Sequence, residues 1–223
     1  MLKRVFKKTS YLKFLDNYPS LNPGSLTVAI FCVFLIVIST FTQVPVGTLV
    51  IPNGFVFNIS EFVKSLNQII SAYFYIPQIP AVLFTGALLG PGIGAAVVLI
   101  YLIIGLLGFP IFAAGGGINY YTEPGFGYIL GYFLGIYFLG TILSKKITTL
   151  SITLSTIISV LFIHITGILY LTLLMLFQHS SIPDTIGMIW SFSGAKLPYD
   201  FVISIIAVSL ARPLRSILWV IME

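Results

Sequence analysis

Apolar residues fill six long runs of the chain, and shorter polar segments separate them. The runs lie at residues 25–44, 67–90, 92–109, 126–143, 150–177 and 198–219. A transmembrane helix needs about 20 mostly apolar residues, whereas the strands of a membrane barrel alternate in polarity over about ten. These runs do not alternate. The pattern therefore predicts an all-α integral membrane protein with six spans.

The second run is interrupted by Pro77 and Pro80. Proline removes a backbone donor and kinks a helix. We therefore expect a short interfacial helix near residues 62–73, followed by a short or bent span from about Pro80.

Composition and charge support a membrane protein and indicate its orientation. Of the 223 residues, 58% are hydrophobic and only 8% are charged, against about 25% charged in soluble domains. The net charge of +5 does not indicate a nucleic-acid partner, because the basic residues cluster at the ends of spans. With the N-terminus inside, the residues on the cytoplasmic side are Lys3, Arg4, Lys7, Lys8, Lys13, Lys145, Lys146, Arg212 and Arg215.

That distribution follows the positive-inside rule and predicts that both termini are cytoplasmic. Residues 1–24 are interpreted as a basic cytoplasmic arm on anionic lipid, and residues 25–223 as one membrane domain. The external connections are then the long ones, at residues 45–66, 110–125 and 178–197. We expect a binding site that opens outward, because long loops on a rigid scaffold commonly carry binding residues.

The loop after the third run carries the first candidate binding residues. Gly115, Gly116 and Gly117 allow the backbone to lie directly against a ligand, while Phe112 and Tyr120 offer aromatic rings. Asn119 offers both a donor and an acceptor. The alternative is a flexible turn with tyrosines at the membrane surface.

The fourth run combines a packing pattern with another candidate. Gly127, Gly131 and Gly135 recur every four residues and predict close helix packing. Tyr128 lies beside them, near the outer end of the span, where it could contact a ligand or anchor the helix at the interface.

The start of the sixth run carries the charged candidates. Asp200 enters a span, which marks a functional site by default, although a cap in the first helical turn is the alternative. Lys196 could pair with Asp200 or with a charged ligand. His164 is expected to hydrogen bond between helices.

Nothing in the sequence favours an enzyme. It contains no Walker motif, nucleophile elbow, carboxylate pair or cluster of metal ligands. Cys32 is the only cysteine, so no internal disulfide is expected. We expect neither catalytic residues nor a cofactor or metal.

A longer set of motifs resembles a known family. Residues 88–94 (LLGPGIG), residues 99–112 (LIYLIIGLLGFPIF), the triple glycine and residues 126–131 (FGYILG) are similar to the BioY family, the biotin-specific substrate-capture (S) components of energy-coupling factor (ECF) transporters. The resemblance implies a six-helix bundle that captures biotin from outside. It also implies a transmembrane coupling subunit and two ATPase subunits as partners. The predicted topology suits a bacterial inner membrane.

Within this resemblance Asp200 matches the aspartate of a Pro-x-Asp-x-x-Lys pattern, whereas Ile203 stands where the family has lysine. The hypothesis is therefore a biotin-capture subunit, with a biotin precursor or another vitamin-like heterocycle as the alternative ligand. A membrane-integral enzyme and a non-catalytic assembly protein are the alternatives from other classes.

Overall fold

The computed structural model describes residues 19–49, 70–143 and 148–222. Within them the helices are α1 (Pro23–Phe41), α2 (Gln78–Leu106), α3 (Phe126–Leu143), α4 (Thr149–Phe177), α5 (Ile182–Ile189) and α6 (Leu197–Met222). A 3₁₀ helix covers Ile118–Thr122, and a π-helical turn covers Trp190–Gly194. Two strands, β1 (Val44–Leu49) and β2 (Ile70–Tyr75), pair antiparallel.

Five helical stretches in the described part of the chain are long and apolar enough to cross a membrane. Four of them are α1, α2, α3 and α4, and the fifth runs from α5 into α6. Large apolar side chains such as Phe31, Phe34 and Leu169 point outward and are well exposed, as lipid contact requires. The chain is a multi-pass membrane protein.

Helix α2 reverses direction at Gly90. That residue has φ 81° and ψ 176°, a backbone conformation that glycine adopts without a steric penalty. Gln78 Nε2 donates to Tyr101 Oη over 2.8 Å, yet residues so far apart would be separated by roughly 35 Å in a straight helix. The two arms of α2 therefore lie antiparallel, joined by the tight turn at Gly90.

The termini of the bundle meet at the end where α2 turns. Asn22 caps α1 by accepting from the Ser25 backbone N–H over 2.7 Å, and its Nδ2 donates to the Met222 carbonyl over 2.8 Å. At the same end, Gly140 of α3 lies against Pro91, directly after the turn. The opposite end is formed by the end of α1 and the starts of α2, α3 and α6.

The β hairpin corrects three expectations. Residues 70–73 were expected in an interfacial helix, but they belong to β2, and the fold is mostly helical rather than all-α. The segment Ile70–Tyr75 is rich in aromatic and β-branched residues, which favour strands, and β1 gives it a partner in register. The first helix also ends at Phe41 instead of residue 44, because Val44 begins β1.

Some predicted features lie outside the described residues. These are the basic segment 1–18, residues 50–66 of the external connection 45–66, residues 62–69 of the expected interfacial helix, and the lysines at 145 and 146. The division into a basic arm and a membrane domain stays a prediction.

The glycine stripe packs α3 against α4, as predicted. A Cβ at Gly127 would lie 2.2 Å from the Tyr170 Cβ, and one at Gly131 would lie 2.9 Å from the Ile163 Cα and carbonyl oxygen. Because the neighbour at Gly131 is backbone, it cannot rotate away. The helices therefore approach as closely as they do only because these positions lack a side chain.

We predict that Gly131→Ala destabilises the protein by about 1–3 kcal/mol, the usual cost of overpacking, through forced separation of α3 and α4. Thermal unfolding in detergent would measure the change. Gly92→Ala is the matched control, since a Cβ there meets nothing within 4 Å. Equal melting temperatures for the two variants would contradict the packing role of Gly131.

Candidate ligand-binding site

A cavity of about 200 Å³ lies at the end of the bundle opposite the Gly90 turn. Its size suits a small ligand, since drug-sized molecules occupy pockets of about 300–1,000 Å³. The lining comes from α2, α3, the loop before α3, and the segment leading into α6. The lining residues are Ile76, Gln78, Ile79, Tyr101, Ala113, Ala114, Tyr120, Glu123, Gly125, Tyr128, Ile129, Tyr132, Phe192, Lys196 and Asp200.

Asp200 is the buried carboxylate of this cavity, with only 1% of its surface exposed. Tyr75 Oη donates to Asp200 Oδ1 over 2.7 Å, and His164 Nε2 lies 3.1 Å from Asp200 Oδ2. Asp200 also lies in the first turn of α6, where the helix N-terminus favours an anion. These three interactions compensate for the loss of water around the charge.

The network continues from His164 to the other side of the cavity. His164 Nδ1 lies 2.9 Å from Ser193 Oγ, and Ser193 Oγ lies 2.6 Å from Tyr128 Oη. An ionised carboxylate only accepts hydrogen bonds, so the Nε2 of His164 carries the proton donated to Asp200. One chain of polar contacts therefore links β2, α6, α4, the π-helical turn and α3.

A second polar network surrounds Gln78 at the start of α2. Its Nε2 donates to Thr40 Oγ1 over 2.9 Å and to Tyr101 Oη over 2.8 Å. Its Oε1 accepts from Tyr132 Oη over 2.8 Å. This network connects α1, both arms of α2, and α3 beside the cavity.

Aromatic rings and one cation complete the lining. The Phe192 ring stacks on Tyr128 with centroids 6.0 Å apart, and Lys196 Nζ lies 5.2 Å from the Phe192 centroid. Among the described residues Lys196 has no salt-bridge partner within 4 Å, although the nearby charge of Asp200 acts on it. Its side chain lines the cavity, where it could meet an anionic group of a ligand.

Tyr120 forms the loop side of the cavity and remains neutral at physiological pH. Burial raises the pKa of its hydroxyl, a backbone hydrogen bond at Ala114 lowers it, and the nearby Glu123 raises it again. Tyrosine in water already titrates near pH 10, so Tyr120 offers a neutral hydroxyl.

The structure brings together four of the predicted binding residues: Tyr120, Tyr128, Lys196 and Asp200 all line the cavity. His164 hydrogen bonds between helices, as expected. Because these four come from three separate parts of the chain, the fold itself assembles the site.

The remaining candidates lie elsewhere in the loop before α3. Phe112 is fully buried behind the cavity, 4.4 Å from Tyr120 and 5.2 Å from Tyr101 between ring centroids. Asn119 is exposed. The residues outside the cavity lining are Phe112, Gly115, Gly116, Gly117 and Asn119, while Ala113 and Ala114 contribute in their place.

Sequence reasoning missed Gln78, Tyr101, Tyr132 and Ser193. A polar residue inside an apolar run was the available signal for Gln78. The tyrosines lacked any such signal, because interfacial tyrosines are common in membrane proteins. No group of three histidine, cysteine or acidic side chains in the described segments is placed to hold a metal ion.

Comparison with known proteins shows the family of the chain that forms this cavity. The BioY family model matches residues 16–219. The chain belongs to the BioY family. This membership confirms the resemblance noted in the sequence.

One relative and one solved structure illustrate the similarity. A segment of 68 residues is 41% identical to the probable biotin transporter BioY of Lysinibacillus sphaericus, covering 30% of this chain and 35% of that protein. The match thus spans about a third of the relative's length. The crystal structure of the S-component for biotin from an ECF-type ABC transporter superposes with a TM-score of 0.60 at 21% identity, over 88% of this chain and 95% of that one. This likeness establishes the fold.

We predict that His164→Leu lowers the stability of the protein by about 1–3 kcal/mol, because the buried Asp200 and Ser193 each lose a hydrogen-bond partner. Thermal unfolding would show the loss. His179→Asn is the control, since His179 is exposed and has φ 53°, which asparagine tolerates. A His164→Leu variant as stable as the control would contradict the role given to the network.

Proposed function

We propose that this protein is a biotin-binding S component of an ECF-type transporter, which captures the vitamin without chemical change. The observation that carries the proposal is the cavity, where Asp200, Lys196 and a set of tyrosines meet in a member of the BioY family. Biotin has a cyclic urea with N–H donors at one end and a carboxylate at the other. The cavity offers carboxylate and hydroxyl acceptors together with one ammonium group, which complements both ends.

Asp200 is proposed to accept from a ureido N–H. Each of its oxygens already accepts one hydrogen bond from the protein, and a carboxylate oxygen has a second lone pair to offer. Charge-assisted hydrogen bonds of this kind are about twice as strong as neutral ones.

Lys196 is proposed to bind the ligand's carboxylate. Ile203, which replaces the lysine expected from the family pattern, does not line the cavity, whereas Lys196 does. Lys196 precedes α6 and lies on the same wall as Phe192. Lys196, four residues before Asp200, would thus take the role of the family lysine, which is expected three residues after Asp200.

We also propose six membrane crossings with both termini in the cytoplasm. The turn at Gly90 divides α2 into two antiparallel arms, which turns five apolar helical stretches into six crossings. The contact between Asn22 and Met222 brings the first and last helices together at one end. The positive-inside rule assigns that end to the cytoplasm, and the cavity then opens outward.

The proposed partners are a transmembrane coupling subunit and two ATPase subunits in a bacterial cell membrane. The basis is the likeness to the S-component structure together with family membership. The role assigned to the chain is binding, so energy for transport would come from these subunits.

We predict that Asp200→Asn and Lys196→Met each weaken biotin binding by roughly tenfold or more, because each removes a charge-assisted hydrogen bond. Isothermal titration calorimetry on the detergent-purified protein would give the dissociation constants. Asp184→Asn is the matched control, since Asp184 lies outside the cavity at the start of α5. Failure of the folded wild-type protein to bind biotin would overturn the proposed function, and dethiobiotin would be the next ligand to test.

The topology predicts opposite accessibility for two introduced cysteines. In a Cys32→Ala background, Asn119→Cys should react with a membrane-impermeant maleimide in intact cells. Gly92→Cys should react only after permeabilisation, and both positions are exposed. Labelling of both positions from the same side would exclude six crossings.

A further inference from the structure

The hydroxyl groups around the Gln78 amide favour one of its two orientations. Thr40 Oγ1 donates to the Ile36 carbonyl over 2.8 Å, and Tyr101 Oη donates to the Ile111 carbonyl over 3.2 Å. Each hydroxyl has one proton to donate. With its proton on a carbonyl, each oxygen accepts from Gln78; the two hydroxyl oxygens also lie 3.4 Å apart, a contact in which either could donate. In the observed arrangement every donor of this cluster has an acceptor, and Gln78 Nε2 faces both hydroxyl oxygens.

The reversed amide would be unfavourable. Its Oε1 could accept from Thr40 and Tyr101 only if both hydroxyls turned away from the Ile36 and Ile111 carbonyls, and Nε2 would then have the Tyr132 oxygen as its acceptor in place of two. Thr40 and Tyr101 are 2% and 0% exposed, whereas Gln78 is half-buried and lines the cavity. The reversed amide therefore makes fewer hydrogen bonds, and each one lost costs about 1 kcal/mol, which favours the observed orientation.

This orientation determines what the cavity offers to a ligand. Tyr132 donates its only proton to Gln78 Oε1, so the Tyr132 oxygen presents lone pairs. Gln78 uses both Nε2 protons on Thr40 and Tyr101, so it too can only accept. Gln78 and Tyr132 both line the cavity and together form what we call the acceptor wall.

We propose that the acceptor wall selects ligands that present N–H donors, such as cyclic ureas and lactams, and that Thr40 and Tyr101 are the positioning residues that hold it. A site built to hydrogen bond an N–H group rejects an analogue that lacks it, because the buried acceptors are then left unpaired. The inference rests on the proposed function for the identity of the ligand, but the orientation of Gln78 does not depend on any ligand.

The first test measures the amide without a ligand. In protein labelled with ¹⁵N-glutamine, the Gln78 side-chain N–H protons should exchange with solvent far more slowly than those of the exposed Gln43 and Gln178. Loss of one resonance pair in Gln78→Asn assigns the signal. Tyr101→Phe should speed the exchange, because one Nε2 proton loses its acceptor. Fast exchange of Gln78 in the wild-type protein would overturn the proposal.

The second test measures selectivity. The ligands are biotin and its two cyclic carbamate analogues, in which one ring N–H is replaced by oxygen. We expect the wild-type protein to favour biotin over at least one analogue by roughly tenfold or more. Thr40→Val combined with Tyr101→Phe frees the amide to turn, so this preference should fall by roughly tenfold.

The controls separate selectivity from general damage. Thr42→Val and Tyr137→Phe change exposed residues of the same types and should keep the wild-type preference. If the double variant bound all three ligands more weakly in the same proportion, the role of Thr40 and Tyr101 would be structural and the proposal wrong.

If the double variant does not fold, Tyr101→Phe alone carries the comparison. Absence of any biotin binding would overturn the proposed function, and amide exchange would then decide the acceptor wall by itself.

Discussion

The burial of the Asp200 carboxylate is the constraint on which the arrangement of this end of the bundle depends. A charge with 1% exposure is tolerated only when its neighbours replace the lost water. Tyr75 and His164 do so from β2 and α4, while the start of α6 contributes its backbone. The carboxylate therefore determines where the hairpin, α4 and α6 meet, and the cavity lies where they meet.

The helices were predictable because each apolar run is long enough to span a bilayer and does not alternate in polarity. The hairpin was not, since Ile70–Tyr75 reads as part of an apolar run, and its strand conformation depends on a partner about 25 residues earlier. The same limit applies to the site. Asp200 stood out as a charge entering a span, whereas the role of Gln78 depends on Thr40 and Tyr101, which only the folded chain brings beside it.

The glycine-rich loop before α3 contributes only one of its predicted binding residues to the cavity lining. Its residues were predicted to bind a ligand from the chemistry of their side chains, and Tyr120 does line the cavity. Phe112 instead fills the space above Gly105, where a Cβ would lie 2.0 Å from the ring. The ring supports Tyr101 and Tyr120 from behind, so its contribution is to the shape of the site. Side-chain type indicated a role for Phe112, but the direction of the side chain decided which role.

The position of the Gly90 turn has a consequence for how deep the ligand would lie. The first arm of α2 has about 12 residues before the turn and rises roughly 18 Å, while the hydrocarbon core of a bilayer is about 30 Å thick. With the turn at one surface, Gln78 lies well below the opposite surface. Non-helical backbone at such depth is tolerated only where protein covers it. The hairpin and the loop before α3 provide that cover at the start of α2. A ligand would therefore give up its hydration shell inside the plane of the membrane, within a protein-lined well, before it meets the polar groups of the cavity.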